Sequence, residues 1–273
     1  MHILDTIIEY KKSEVKKNKS ILSESRLEKR NFFSRKILSL KEFISDEQRT
    51  GIIAEFKRKS PSKGTINNKA DVVKVTSAYA DNGASALSIL TDEKFFGGYD
   101  EDILNARKNL IPILRKEFII DPYQIVEARS IGADAILLIA ACLSPGEVSK
   151  LAAFAKGLQL EVLLEIHDEG ELGHICDDID ILGINNRDLK TFAVDINRSI
   201  SLIDKIPPGK IIIAESGIHD VETICHMKSF GFSGFLIGEN FMKEPDPAVA
   251  FALFVNQLKQ RQHESKSLRH DAT

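Results

Sequence analysis

Eight short apolar runs recur along the chain, and their regular spacing limits the available folds more than any other feature. They occupy residues 52–57, 86–91, 112–118, 135–141, 161–167, 181–186, 211–216 and 234–239. Seven steps lead from the start of the first run at 52 to the start of the last at 234, which is about 26 residues a step. Short runs that are apolar almost throughout are typical of parallel β-strands buried on both faces.

Segments of helical character lie between these runs. They cover residues 71–82, 122–131, 144–156, 220–230 and 247–258. The segment that starts at Ser144 reads SPGE, a capping-box pattern with proline at the first helical position. Eight strand–helix units at this spacing predict an α/β fold, a (β/α)8 TIM barrel, rather than two smaller domains. A doubly wound sheet is disfavoured, because the chain contains neither GxGxxG nor GxxxxGK[ST].

The composition is that of an ordinary globular protein, with 43% hydrophobic residues, 28% charged residues and a net charge of -3. It excludes collagen and coiled coil, and it provides no positive field for nucleic acid. No apolar run reaches the roughly 18 residues of a membrane span, and the N-terminus lacks the pattern of a signal peptide. Cys142, Cys176 and Cys225 are widely spaced, which predicts reduced, buried thiols. We therefore expect a cytoplasmic protein that binds neither membrane nor nucleic acid.

The first fifty residues lie outside the repeat. Ile3, Ile7 and Val15 are spaced as on an amphipathic helix, and a second short segment follows over residues 22–33. Both signs of charge are mixed here and no aromatic stacking pattern occurs, which favours a helical extension over a nucleic-acid-binding arm. The predicted domains are an extension packed on the barrel over residues 1–50, a catalytic barrel over 51–260 and a disordered tail over 261–273.

Charged side chains interrupt the apolar runs near their C-terminal ends. Glu55 and Lys57 share one face of the first strand. Lys116 lies near the end of the third strand, and Glu165 lies in the fifth. Buried charges have to be paired or used, and barrel active sites lie at this rim. Lys116 and Glu165 therefore form a candidate general acid–base pair, although a lysine at this depth is also able to form a Schiff base.

Two glycines predict an anion site. Gly217 and Gly238 follow the seventh and eighth strands, where barrels commonly bind phosphate on backbone N–H groups. Either glycine alone fits an ordinary turn, but the two together favour phosphate. Glu239 would repel an anion there unless its carboxylate points away.

Two other features are less specific. Phe95 opens an FFGG loop after the second strand, which fits either core packing or a wall against an aromatic ligand. His167 and His174 are seven residues apart rather than four, so a metal site of the HExxH type is not indicated.

Several longer segments resemble one known family. They are residues 53–64 (IAEFKRKSPSKG), 90–97 (LTDEKFFG), 113–128 (ILRKEFIIDPYQIVEA), 132–139 (GADAILLI), 183–189 (GINNRDL), 214–218 (AESGI) and 236–242 (LIGENFM). With the N-terminal ILDTIIEYKKSEV, they resemble the indole-3-glycerol-phosphate synthases of tryptophan biosynthesis over about residues 2–260. The resemblance implies ring closure of 1-(2-carboxyphenylamino)-1-deoxyribulose 5-phosphate with loss of CO2 and water, without cofactor or metal.

The resemblance also implies roles for individual residues. Its catalytic positions fall at Glu55, Lys57, Lys116, Glu165, Asn185 and Ser216. Lys116 would protonate the ketone, and Glu165 would assist proton transfer and dehydration. Lys57 would engage the substrate, Glu55 would orient the lysines, and Asn185 would hold hydroxyl groups. The expected substrate-binding set is Ser60, Phe95, Arg187, Glu215, Gly217, Leu236, Gly238 and Glu239, with Ser60 and Arg187 near the anthranilate carboxylate.

The chain departs from the family at Asn240, where relatives often have Ser or Thr. Some relatives carry a fused phosphoribosylanthranilate isomerase barrel, for which one set of eight strands leaves no room. The balanced charge gives no argument for a permanent protein partner, and a monomer is compatible with it. Two alternatives are another phosphate-binding barrel enzyme, either an isomerase or a Schiff-base lyase, and a non-catalytic sugar-phosphate-binding barrel.

Overall fold

Eight parallel strands close into a barrel in the computed structural model, which describes residues 3–188 and 191–270. The barrel strands are β1 (Ile52–Phe56), β4 (Ala86–Leu90), β5 (Ile113–Lys116), β6 (Ala135–Ile139), β7 (Glu161–Ile166), β8 (Ile181–Asn185), β9 (Ile211–Glu215) and β10 (Gly234–Ile237), while β2 (Lys59–Ser60) and β3 (Gly64–Thr65) form a hairpin. Closure joins β1 to β10 on one side and to β4 on the other. The predicted TIM barrel is confirmed.

Helices cover the outside of the barrel. They are α1 (Ile3–Ile21), α2 (Glu24–Leu27), α3 (Leu40–Ser45), α4 (Val72–Asp81), α5 (Glu93–Phe96), α6 (Asp100–Ala106), α7 (Pro122–Ile131), α8 (Pro145–Gly157), α9 (Ile196–Ile203), α10 (Val221–Ser229), α11 (Glu239–Met242) and α12 (Pro247–His270), with the 3₁₀ helices η1 (Ala140–Cys142) and η2 (Glu169–His174). Side-chain caps explain where several begin, because each cap accepts a hydrogen bond from a free N–H group of the first turn. These caps include Asp71, Asp121, Ser144 and Asp220.

Apolar side chains fill the half of the barrel nearest the N-terminal ends of the strands. The helix α3 closes this end, since its Leu40 and Ile44 belong to the same buried cluster as Leu163 and Ile213 from the strands. Gly234 makes room for the helix, because a Cβ atom there would lie 3.0 Å from Ile44 Cγ2. Because apolar side chains fill this half of the barrel, a binding site has to lie at the opposite end, where the strands end.

The helix α1 lies at that opposite end and is held there by a buried lysine. Lys11 is 2% exposed, and its Nζ lies 2.9 Å from Asp92 Oδ2, 2.9 Å from Glu117 Oε1 and 2.5 Å from Glu14 Oε2. Asp92 follows β4 and Glu117 follows β5, so one side chain joins the extension to two barrel loops. Burial lowers the pKa of Lys11, but the three carboxylates outweigh it and raise the pKa, keeping the lysine charged.

Most predicted elements agree with the structure to within one or two residues. The prediction missed α3, α5, α6, α9, α11 and the β2–β3 hairpin, which are all short. Residues 261–270, which the sequence predicts as part of a disordered tail, continue α12 in the structure. These residues contain no Gly or Pro, the two residues that most disfavour a helix. Residues 271–273 lie outside the described residues.

Two smaller observations complete the fold. Cys142, Cys176 and Cys225 form no disulfide and are half-buried rather than fully buried. Among the helices of the described residues, none combines the length and the apolar character needed to cross a membrane.

The buried lysine predicts a large loss of stability on substitution. Lys11→Met should lower the free energy of unfolding by about 3–5 kcal/mol, because it leaves Asp92 and Glu117 buried without their cation. Lys12→Met is the matched control, since Lys12 is exposed and pairs only with Glu9, and it should change stability by less than about 0.5 kcal/mol. Urea unfolding of both variants measures the difference, and equal effects would contradict the assigned role of Lys11.

Candidate active site

A cavity of about 200 Å³ opens at the C-terminal end of the barrel, where the charged strand ends meet. The predicted site residues that line it are Glu55, Lys57, Ser60, Lys116, Glu165, Asn185, Arg187, Glu215, Ser216, Gly217, Leu236, Gly238 and Glu239. Only Phe95 of the predicted set is absent from the lining. The regular strand spacing therefore brings residues from six strands and their following loops to one place.

Lys116 is the centre of this cavity. Its Nζ lies 2.9 Å from Glu165 Oε2 and 2.6 Å from Glu215 Oε2, so the ammonium group is shared by carboxylates from β7 and β9. The other oxygen of Glu165, Oε1, accepts a hydrogen bond from Asn185 Nδ2 at 3.0 Å. All three ionic side chains are nearly buried, which strengthens their mutual attraction. The geometry aligns a proton donor with two acceptors before any substrate binds.

Burial and ion pairing shift the pKa values of the three charged side chains in different directions. Burial lowers the pKa of Lys116, but Glu165, Glu215 and Glu55 outweigh it and raise the pKa, so the amine stays protonated. Burial raises the pKa of Glu165, whereas Lys116 and His167 lower it well below its usual range. Burial and the neighbouring Glu165 raise the pKa of Glu215 to about 7, against the lowering effect of Lys116. The two carboxylates therefore differ in acidity, a pattern typical of acid–base sites.

A second ion pair lies on β1 and in the loop that follows it. Lys57 Nζ donates to Glu55 Oε1 at 2.6 Å, as their shared strand face predicts. Lys57 lines the same cavity as Lys116 and is slightly less buried. Ser60 follows in the β2–β3 hairpin, which lies at the cavity mouth.

Two glycines provide the space for the carboxylates. A Cβ atom at Gly183 on β8 would lie 2.3 Å from Glu215 Oε1, and one at Gly238 would lie 2.5 Å from Glu55 Oε1. Any larger residue would therefore displace a carboxylate of the cluster. Sequence reasoning gave Gly183 no role, yet a glycine in the middle of an apolar strand (ILGIN) was the available signal of a close approach.

The turn after β9, where the sequence predicts an anion site, has an uncommon backbone conformation. Ser216 and Gly217 both adopt positive φ values, 66° and 71°. Asn186 Nδ2 donates to the Ser216 carbonyl at 2.7 Å and holds this turn in place. Gly217 has no space for a side chain, because its Cβ atom would lie 2.2 Å from Val194 Cγ1. Asn240 joins this turn to the end of β10 by donating to the His219 carbonyl at 3.1 Å.

Glu239 does not leave an unbalanced negative charge at this end of the cavity. Its carboxylate lies 3.4 Å from Lys63 Nζ and 3.7 Å from an Arg187 guanidinium nitrogen. Arg187 is in turn fixed by its backbone N–H, which donates to Asn185 Oδ1 at 3.0 Å. The two cations offset the repulsion that the sequence predicted between Glu239 and a bound anion.

Phe95, which the sequence predicts as a substrate-binding residue, does not line the cavity, whereas its neighbour Phe96 does. Phe95 packs edge-on against Tyr10 of α1, with ring centroids 5.8 Å apart. Phe96 lines the cavity instead and lies 5.8 Å from the ring of Phe118. Successive residues of the short helix α5 point about 100° apart, so only one of the two rings is able to face the cavity.

The N-terminal extension also lines the cavity, which sequence reasoning missed. Ile3, Leu4 and Ile7 of α1 form part of its apolar wall. The spacing of Ile3 and Ile7 indicated an apolar helix face, but nothing local indicated what that face covers. Within residues 3–188 and 191–270, no three His, Cys, Asp or Glu side chains are grouped to hold a metal ion.

The raised pKa of Glu215 predicts a pH-dependent stability. The folded state keeps this proton up to about pH 7, whereas the unfolded chain releases it near 4.5, so deprotonation opposes folding as the pH rises between these values. Glu215→Gln removes this effect, and its free energy of unfolding should rise relative to wild type by up to about 3 kcal/mol between about pH 5 and pH 8.

Urea unfolding across this pH range measures the difference. Glu222→Gln, at an exposed position on α10, is the control and should follow the wild-type pH dependence. A Glu215→Gln variant whose stability difference stays constant with pH would show that Glu215 is ionised throughout.

Comparison with known proteins agrees with this geometry. The profile of the family described as "Indole-3-glycerol phosphate synthase" matches residues 4–253. A protein of that name from Bacteroides thetaiotaomicron is 46% identical over 258 residues, covering 94% of this chain and 99% of the relative. Another from Salinibacter ruber is 42% identical over 256 residues, covering 92% and 94%.

Solved structures resemble the chain in fold alone. Tryptophan synthase subunit alpha from Legionella pneumophila aligns with a TM-score of 0.60 at 15% identity, over 81% of this chain and 95% of that one. The 3-hexulose-6-phosphate synthase from Salmonella typhimurium aligns with a TM-score of 0.59 at 13% identity, over 77% and 98%. The profile match and the two curated relatives span nearly all of this chain, and the chain therefore belongs to the indole-3-glycerol phosphate synthase family.

Proposed function

We propose that this chain is an indole-3-glycerol phosphate synthase that closes the indole ring of 1-(2-carboxyphenylamino)-1-deoxyribulose 5-phosphate and releases CO2 and water. The observation that carries the proposal is the ammonium group of Lys116, held between Glu165 and Glu215 inside a cavity with apolar walls. Ring closure needs a proton donor at a ketone oxygen, and a buried, charged lysine is such a donor.

The shape of the cavity suits a substrate with an aromatic end and a phosphate end. Phe96 and Phe118 form an apolar wall for the anthranilate ring. The turns at Gly217 and Gly238 present backbone N–H groups to the phosphate at the opposite edge. Holding both ends places the ketone carbon against the ring carbon that bears the carboxylate, which is the main requirement of this cyclisation.

The charged residues then divide the proton transfers. Lys116 protonates the ketone oxygen as the carbon–carbon bond forms, and CO2 leaves as the ring regains its aromaticity. Glu165 protonates the resulting hydroxyl group, which leaves as water. Lys57, oriented by Glu55, binds the substrate and is placed to act in the second step.

The alternative functions fit the site less well. A Schiff base needs a neutral amine, whereas Lys116 has two carboxylate partners that raise its pKa and keep it charged. A non-catalytic sugar-phosphate-binding barrel would have no use for the buried groups at Lys116, Glu165 and Glu215, whose desolvation costs several kcal/mol, on the order of that in other buried ion pairs.

Substitution of the central lysine tests the proposal directly. We expect the wild-type protein to form fluorescent indole-3-glycerol phosphate from the carboxyphenylamino substrate. Lys116→Met should reduce kcat by at least about a thousandfold, while substrate affinity stays within about tenfold. Lys150→Met, at an exposed position on α8, is the control and should retain wild-type kcat. No product from wild type would overturn the proposed function, and wild-type turnover by Lys116→Met would remove Lys116 from the mechanism.

Glu165 has a separate test. Glu165→Gln keeps an oxygen for the hydrogen bond from Asn185 but is unable to carry a proton. We expect kcat to fall by about a hundredfold or more in the same fluorescence assay, with substrate affinity largely kept. A loss of only a few-fold would assign Glu165 to packing rather than to proton transfer.

A further inference from the structure

The proposed reaction consumes one proton from solvent in each turnover. The substrate carboxylate leaves as neutral CO2, so its negative charge disappears. The ketone oxygen leaves as water and takes up two protons, while the ring-forming CH2 carbon releases one. Glu165, the donor of the second proton in that reaction, is only 5% exposed, and the substrate would fill the cavity above it, so the proton it delivers needs another route from outside.

One group of side chains outside the proposed catalytic steps leads from Glu165 toward the surface. His167 follows β7 on the same side as Glu165, and its Nε2 lies 3.2 Å from Glu165 Oε1. On the other side of the ring, His167 Nδ1 lies 3.2 Å from Oε2 of Glu171 in η2. The exposed fraction of the three side chains rises from 5% at Glu165 to 8% at His167 and 16% at Glu171. Glu165, His167 and Glu171 therefore form a row of side chains that runs from the buried centre of the barrel toward solvent.

Both ends of this row are held in place. Glu171 Oε2 accepts the backbone N–H of His167 at 2.6 Å, and Glu165 Oε1 accepts Asn185 Nδ2 at 3.0 Å. His167 Nε2 is at ion-pair distance from Glu165 but makes no aligned hydrogen bond with it. The two groups are therefore close enough for a proton to pass between them after a small adjustment of either side chain.

We propose that Glu171, His167 and Glu165 form a proton-delivery path that supplies the proton consumed in each turnover. This inference rests on the proposed function. In it His167 is a positioning and relay residue that acts through Glu165 and does not touch the substrate.

The path operates in a defined order. Lys116 first gives its proton to the ketone oxygen and becomes neutral, so Glu165 loses the cation nearest to it. The buried Glu165 carboxylate then takes a proton from the imidazolium of His167 and passes it to the leaving hydroxyl group. The proton from the CH2 carbon returns to Lys116, and His167 regains its proton from solvent through Glu171. Each turnover thus takes up one proton from solvent, and every protein group returns to its starting protonation state.

The charged neighbours of His167 favour its protonated form, which is the form that donates a proton. Burial lowers the pKa of His167, but Glu165 and Glu171 outweigh it and raise the pKa to about 10, so the ring carries its proton at neutral pH. Besides Lys116 and Glu215, Cys142 also lies near these carboxylates, and burial raises its thiol pKa, so it stays neutral and does not compete.

Chemical rescue separates proton transfer from structural support. His167→Ala should lower kcat at least about tenfold with KM within about threefold, and should enlarge the solvent deuterium isotope effect on kcat. Added imidazole should restore activity with saturation, whereas pyrazole, of the same size but unprotonated at neutral pH, should not. Glu171→Gln keeps an acceptor for the His167 backbone N–H and should show the same kcat loss and isotope effect.

His174→Gln is the matched control from the same 3₁₀ helix. The His174 ring bonds to the backbone carbonyls of Glu171 and Leu143 and lies off the path, so kcat and the isotope effect should stay within about twofold of wild type. Equal rescue by pyrazole, or unchanged kcat in His167→Ala, would overturn the path while leaving the proposed function intact. A wild-type protein that forms no indole product would overturn both.

Discussion

Charges withdrawn from water have to be paired, and this requirement organises the upper half of the barrel. Lys116 lies between Glu165 and Glu215, and Lys57 pairs with Glu55, so each of these ammonium groups has a carboxylate partner. Carboxylates outnumber lysines in the cluster, and burial together with the neighbouring carboxylates raises the pKa of Glu215. The cluster therefore favours states in which a carboxylate carries a proton, which suits a reaction that has to protonate its substrate.

The remainder of the fold supports this cluster from both ends. The helix α3 fills the lower end with Leu40 and Ile44, so water is excluded from beneath the charges. At the upper end, Gly183 and Gly238 leave the volume that the Glu215 and Glu55 carboxylates occupy. Low dielectric below and close packing around the carboxylates strengthen each ionic contact between them.

The barrel and most of the site were predictable because their signals are local. Strand spacing and the alternation of side chains along a strand decide which residues reach the C-terminal rim, and Lys116 and Glu165 follow from them. The choice between Phe95 and Phe96 depends on how the short helix α5 is rotated, which the sequence around it does not determine. The burial of Lys11 depends on Asp92 and Glu117, which are distant in sequence, so Lys11 and the exposed Lys12 look alike in the chain.

The position of Lys11 also has a consequence for synthesis. The helix α1 leaves the ribosome before the barrel strands, yet the carboxylates that receive its lysine, on Asp92 and Glu117, are translated only after β4 and β5. Until then the helix has nowhere to bury a charged side chain, and its Ile3 and Ile7 stay exposed to water. A helix that is made before the barrel thus docks late, and a nascent chain that stalls before β5 presents the unpaired apolar face of an amphipathic helix to chaperones.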